Sequence, residues 1–362
     1  MNNNKPTLED WGEWRLIDDI IAPLAKSCDP LTETGSDCAY IPVPECHIAV
    51  TADVGPKPLL HRLKGYEDDL VARGWLAVVA SASDIATSGA QPLCLLNCTD
   101  APPNLPVADL QRLLAGYFKA CSDFGFRNAG GDIRQGTELS MRVTAIGTCL
   151  HPYRIGRDKA TVGHILYLVG PAGQFMANYL IAESILEGNT NLPLEIEDIL
   201  RFPRPQLKAM KSLADRGLVV AASDTSDGLL GALDNIVRKS RRNFHLTLCN
   251  EMLMPDVQQA ANLRGIDPWN IFFAWGDWSV AVAIRSADES AFEQVCRENS
   301  IIYTQLGVVT ERNEEQEKKT ATVDSGHLRD LTILRNENFT KEGFNAKLSD
   351  HLNHLLTTPL FR

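Results

Sequence analysis

The sequence predicts a mixed α/β (α+β) chain built from two units. Strand-like and helix-like segments alternate along most of its 362 residues. The length, divided by a typical domain of ~150 residues, allows roughly two domains. The alternating pattern also restarts at Gly156, after a first run of elements closes near residue 150.

In the first unit, His47–Thr51 (HIAVT) is a short apolar run of strand type. Residues 74–88, centred on WLAVVASASDIA, form a helix of small and apolar residues. Residues 93–99 read as a strand. From Val107 a helix follows, with Leu110, Leu113, Leu114, Tyr117 and Phe118 at helical spacing. Residues 139–150 (LSMRVTAIGTCL) alternate like a strand. In the second unit, residues 165–169 form a strand, followed by a GPAG turn and a helix from Gln174. Pro203 and Pro205 precede a helix that runs to about Asp215. Residues 218–222 are a strand. Residues 229–237 are a helix with Leu229, Leu230, Leu233, Ile236 and Val237 on its apolar face. Residues 280–284 and 301–309 are further strands. Residues 311–319 (ERNEEQEKK) are an exposed charged loop, and Leu348, Leu352 and Leu355 mark a tail helix. The expected division is 1–150, 151–335 and a tail, 336–362.

Composition narrows the function. Hydrophobic residues at 44% and charged residues at 22% exclude a disordered or fibrous chain. With 35 Lys+Arg against 46 Asp+Glu, net −11, there is no basic stripe for nucleic acid, and none is expected as a partner. The longest uncharged stretch, 160–182, is interrupted by His164, Gly170, Pro171 and Gly173, so no membrane span is expected. The N-terminal MNNNKPTLEDW lacks the apolar core of a secretory signal, and a cytoplasmic location is expected. Nine cysteines without CxxC spacing read as free thiols. Eight histidines without HxH or HExxH spacing give no sign of zinc.

The informative residues are aspartates at the ends of elements: Asp37 in GSDCA, Asp53 in TADVG, Asp84 in SASDIA, Asp132 in AGGDIRQG, and Asp224 and Asp227 in SDTSDGLL. Singly, each has a plain reading as a turn residue, a helix cap or a solvent-facing stripe. Asp84, on an apolar helix, is the hardest to explain that way, because a buried carboxylate needs a partner. As a set they have the character of an all-oxygen site for a hard cation such as Mg²⁺, which completes its shell with water and nucleotide phosphates. A Mg-ATP site is therefore expected. The helix start at Gly228 and the glycines at 130, 131 and 136 are candidate N–H donors to phosphate. No GxxxxGK[ST] loop occurs.

The ordered motifs GSDCA, TADV, SDIATSGAQP, GGDIRQG and SDTSDGLL resemble those of thiamine-monophosphate kinase. More broadly they resemble the PurM-like ATP-binding superfamily, which includes aminoimidazole-ribotide synthetase. The resemblance implies a two-domain PurM-like fold, in which the N-terminal strands form a barrel across a homodimer beside a C-terminal α/β domain. It also implies ATP, with Mg²⁺ held by Asp37, Asp53, Asp84, Asp132, Asp224 and Asp227. Gly131, Ser226 and Gly228 join Asp37 and Asp132 on the nucleotide side, and Asp227 and Arg134 are the expected catalytic groups.

The chain departs from the kinase pattern at several positions. Ser36 replaces the second aspartate of GDDCA, and the arginine of GGDTTRG moves to Arg134. Gln206 stands where RPxPR has an arginine, and GGEDYE becomes residues 274–279, AWGDWS. Trp275, Asp277 and Trp278 are the expected acceptor contacts, the two indoles as flat apolar walls or as plain core. Val54-Gly55-Pro56-Lys57 echoes the synthetase GVGTK, although Lys57 also reads as a surface lysine. Three functions stay open: a kinase acting on a small phosphate, a synthetase activating an amide, and a catalytically silent dimeric relative.

Overall fold

The computed structural model describes residues 13–28, 36–150, 154–312, 319–323, 327–333 and 348–361. In the N-terminal domain, β1 (Ala39–Val43) and β2 (Cys46–Val54) form a hairpin. Helix α1 (Leu70–Thr87), β3 (Gln91–Ala101), α2 (Val107–Phe124), β4 (Arg127–Gln135) and β5 (Ser140–Cys149) follow. The sheet order is β1-β2-β5-β3-β4. Every pair is antiparallel except β3–β4, which the α2 crossover makes parallel. This sheet is open in the single chain, with β1 and β4 at its edges.

Gly130 and Gly131, whose pairing in sequence reads equally well as a turn, lie in the middle of β4. Leu95 pairs with Asn128 and Asn97 with Gly131, so two residues of β4 face one of β3, as in a β-bulge. Gly131 has φ +151°, and a Cβ there would lie 1.8 Å from the Asn97 carbonyl oxygen. The glycines thus permit a distorted strand rather than end one.

Helix α1 organises the domain. Asp69 caps it by accepting from the Ala72 N–H at 3.0 Å. Its small residues let neighbours approach on all sides. A Cβ at Gly74 would lie 1.9 Å from the Leu113 carbonyl oxygen on α2, and one at Gly116 2.0 Å from that of Val71. The two helices therefore touch backbone to backbone. The helix has the length and apolarity of a bilayer span, but 83% of it is buried inside the fold. Its hydrophobicity serves the core.

The C-terminal domain begins with β6 (Ile165–Val169) and α3 (Gln174–Glu187). It continues through α4 (Leu194–Arg201), α5 (Leu207–Ala214), β7 (Ala221–Asp224), α6 (Leu229–Lys239), β8 (Asn243–Leu248), α7 (Pro255–Arg264) and α8 (Pro268–Phe272). After these come β9 (Val280–Ile284), α9 (Glu289–Glu298), β10 (Tyr303–Thr310), β11 (Thr320–Val323), β12 (His327–Asp330) and α10 (Leu348–Thr357). The sheet order is β12-β11-β8-β10-β6-β9-β7.

Strand β7 starts three residues later than its sequence suggests. The N–H groups of Gly217 and Leu218 turn back to the carbonyls of Ala214 and Leu213 and close α5. The charged loop expected at 311–319 falls mostly outside the described residues. The tail helix α10 packs Leu352, Leu355 and Leu356 into the C-terminal core. The Asn270 amide secures it, donating to the carbonyls of Leu355, Leu356 and Thr358 at 3.0–3.2 Å.

The domains join along α1. One hydrophobic cluster runs without a break from Trp75, Val78 and Ile85 of α1 to Met210 and Leu213 of α5 and Val280 and Val282 of β9. The Trp75 indole N–H donates to the Pro203 carbonyl at 2.8 Å. Its ring meets Phe124 and Phe202 edge-on, at centroid distances of 4.9 and 5.1 Å. Arg201 reaches back to Asp69 at 2.6 Å.

Candidate functional site

Three of the sequence-predicted aspartates meet at this joint. Asp37 immediately precedes the β1–β2 hairpin, Asp84 lies near the C-terminal end of α1, and Asp224 ends β7. One carboxylate oxygen from each lies within 4.8 Å of the other two. The placement of Asp84 follows from how α1 rests on the sheet. Ser81 Oγ donates to the Val143 carbonyl of β5 at 2.8 Å, and one turn later Thr51 Oγ1 of β2 donates to Asp84 Oδ2 at 2.6 Å. Asp53, two residues along β2, hydrogen-bonds Asp84 as well.

Burial pushes the carboxyls of Asp37, Asp53 and Asp84 up from their ordinary value, and Asp224 raises all three further. Asp37 reaches about 6, because its burial outweighs the opposing pull of Arg157. At an effective dielectric of 20, two carboxylates at such separations repel by about 3–4 kcal/mol. With all four acids ionised, Arg157 offsets only one charge, so the arrangement calls for further positive charge. The donors are carboxylates and a threonine hydroxyl, with no imidazole among them. Cys38 is turned away, its thiol donating to the Asp84 backbone carbonyl at 3.2 Å. This is the donor set of a hard divalent cation such as Mg²⁺.

Arg157 is the functional residue that the sequence reading missed. Its guanidinium binds Asp37 through Nη2 to Oδ1 and through Nε to Oδ2 at 3.1 Å, and its side chain is 11% exposed. Ser240 anchors the segment by donating to the Arg157 carbonyl at 2.9 Å and accepting from the Ala160 N–H at 3.0 Å. The indole of Trp14, from the N-terminal helical segment, lies over Arg238 at 3.7 Å and within 5.7 Å of Arg157. Nothing in RIGRDKA distinguishes Arg157 from Arg154. Only the fold does.

Ser226 adjoins the cluster, its hydroxyl donating to Asp224 Oδ1 at 2.9 Å. Asp227 follows, half-buried, in the turn before α6. Gly228 does not present a free helix start. Its N–H donates to the Thr225 carbonyl at 2.9 Å, and the Leu229 N–H donates to that of Phe273 at 3.2 Å. The Gly136 N–H is likewise taken, by the Ala101 carbonyl at 2.9 Å.

Other predicted residues lie elsewhere. Asp132 and Arg134, with Gly131, sit on β4, three strands from Asp53 on β2, which is roughly 14 Å at the usual strand spacing. All three are exposed, and Arg134 pairs with Asp100 at 3.0 Å. Asp277 is engaged by backbone. Its carboxylate accepts from the N–H groups of Gly173 and Phe175 at 2.6 and 2.7 Å and so braces the GPAG turn at the start of α3. Burial raises its pKa to about 7. Trp275 is buried in the C-terminal core. Trp278 is half-buried at φ +52°, an uncommon backbone state for a bulky residue, at the turn into β9.

Comparisons with known proteins agree with this architecture. The family model for the AIR synthase related protein N-terminal domain matches residues 35–149, and that for the C-terminal domain matches 161–319. A thiamine-monophosphate kinase of Mycobacterium tuberculosis is 26% identical over 279 residues, 77% of this chain and 82% of that protein. A solved structure described as AaThiL complexed with AMPPCP and TMP superposes with TM-score 0.71 at 22% identity, covering 89% of this chain and 96% of that one. A hydrogenase maturation protein HypE in complex with ATP superposes with TM-score 0.63 at 18% identity, covering 91% and 98%. Matched through both of its domains, the chain belongs to the AIR synthase related protein family, with the two-domain PurM-like fold.

Proposed function

We propose that this protein is a Mg²⁺-dependent, ATP-using phosphotransferase resembling thiamine-monophosphate kinase, acting on a small phosphate-bearing acceptor in the cytoplasm. The observation that carries the reading is the convergence of Asp37, Asp84 and Asp224 within 4.8 Å at the domain joint, with Asp53 beside them. The names of the matched relatives, and the AMPPCP and TMP in one matched structure, support it.

In this reading, Asp37, Asp84 and Asp224 would hold the cation, with Asp53 beside them and Asp227 contributing from the turn before α6. Bound Mg²⁺ supplies charge neutralisation for the nucleotide phosphates. Thr51 fixes the Asp84 carboxylate through its hydroxyl. Ser226 fixes that of Asp224. Arg157 opposes the burial that disfavours charge on Asp37 and aims its carboxylate. The chain's contribution is to position and neutralise, which is most of what phosphoryl transfer requires.

Asp132 and Arg134 enter this reading through a homodimer. Strand β4 is an exposed edge carrying Ile133, β1 exposes Ile41 and Val43, and pairing such edges with a second copy would close the open sheet. The deciding assay is ADP formation from ATP and Mg²⁺ with thiamine monophosphate and related small phosphates as acceptors. Phosphorylated acceptor is expected, and Asp84→Asn should lose at least 100-fold in turnover. ADP with free phosphate and a dehydrated or cyclised product would favour the second reading, amide activation, which the family match supports. Undiminished turnover in Asp84→Asn would overturn both.

A further inference from the structure

We infer a second ligand site, for a multiply charged phosphate-bearing anion, in the cleft between the 154–159 segment and the ends of β7 and β9. The cleft has a volume of about 550 Å³, and its lining includes Arg154, Lys159, Arg216 and Arg285 above Val219 and Val220. In a chain of net charge −11, four cations and no carboxylate line this one hollow. Its size suits a small ligand.

The cleft is separate from the acid cluster. Val219 and Val220 lead into β7, and Asp224 ends that strand. Arg285 follows β9, whose Ala283 pairs with Ala221 while Val280 pairs with Asp224. The cleft and the acids thus occupy opposite ends of the same strands, roughly 13 Å apart along β7.

Three of the four cations are guanidiniums, whose planar forks match phosphate oxygens two at a time. Two are already held in place. Arg285 donates to the Gly217 carbonyl at 2.7 Å and pairs with Asp288 at 2.5 Å. Arg154 spans both oxygens of Asp158 at 2.9 Å. Lys159 reaches Asp158 at 3.6 Å, and Arg216 reaches Glu298 at 3.7 Å. The carboxylates stand outside the lining, at 26–44% exposure, and such surface pairs contribute little. A polyvalent anion can therefore displace them. The inference is independent of the proposed kinase activity.

The test is calorimetric titration of the full chain with inorganic pyrophosphate at low salt, with EDTA present so that no cation bridges the ligand to the acid cluster. One site is expected, weakened about tenfold or more in Lys159→Gln/Arg216→Gln, two positions that make only surface pairs. Glu298→Gln, which releases Arg216, should tighten binding, and Asp84→Asn should leave it within twofold. Inorganic triphosphate and ATP serve as further probes. Equal affinity assigns the site to a phosphate chain alone, and tighter ATP binding assigns it to the tail of a nucleotide. No binding to the parent protein, equal binding by the double variant, or loss of binding in Asp84→Asn would each overturn the assignment.

Discussion

Asp37 is under two opposed forces. Burial disfavours its charge, and Arg157 favours it; burial prevails, and the carboxyl rises from 3.8 to about 6. A raised carboxyl contributes stability that is complete below its unfolded value and is lost as pH climbs through its folded one. Asp53 and Asp84 are raised as well, so they act in the same direction. The metal-free protein should therefore melt at lower temperature as pH rises from 5 to 7.5. Stabilisation by Mg²⁺ should grow over the same range, because the cation must displace protons. Scanning fluorimetry across pH checks this, and a Mg²⁺ shift of constant size would contradict it. Asp84→Asn should abolish turnover yet raise the metal-free melting temperature by a few degrees, since it removes repulsion from a buried cluster. Arg157→Ala should cost about 3–5 kcal/mol in urea unfolding at neutral pH, the usual consequence of leaving a buried acid unpaired. Asp37→Asn/Arg157→Ala should cost less than the single arginine change.

At the scale of elements, α1 carries the site and is the least replaceable part of the fold. It meets α2 through Gly74 and Gly116, where any side chain would enter the opposing backbone. Gly116→Ala should lower stability by about 3 kcal/mol or more, measured by urea unfolding, because backbone cannot yield as a flexible side chain can. What was legible here followed local chemistry. Residues 165–169 and 280–284 are continuous apolar runs, and both are strands with those bounds. The proline-marked start of α5 was legible in the same way. Strand β4 was not, because a glycine pair has the same signature in a bulge as in a turn, and only the Asn97 carbonyl behind Gly131 separates the two. The structural settings of Asp277 and Trp275 were hidden for a related reason. A carboxylate that caps a helix and one that faces a ligand look alike in sequence, as do a buried indole and an exposed one.

Across the whole molecule, the acid cluster depends on long-range contacts. Its members were individually readable as aspartates in ordered motifs, but the motif order did not separate Asp37, Asp53, Asp84 and Asp224, which meet, from Asp132, which sits on the far edge strand. The cation that pairs with Asp37 was invisible, because Arg157 gains its role only when residues 120 positions apart meet. The same scale governs assembly. If β4 pairs with a second copy, Ile133→Lys should shift the protein toward monomer in sedimentation analysis, with melting of the monomer little changed, since Ile133 lies on an exposed strand. A parent protein that sediments as a monomer at micromolar concentration would remove the route by which Asp132 and Arg134 enter the site.

The spacing of the joint has a consequence for biosynthesis. Asp37, Asp53 and Asp84 leave the ribosome first, while Asp224 is encoded far downstream. At 5–20 residues per second, the wait from Asp84 to Asp224 is roughly 7–28 s. A nascent N-terminal domain therefore carries three acids of the cluster without its fourth member or its arginine. The cluster is thus complete only once β7 has been made, and a product that stops before it lacks Asp224.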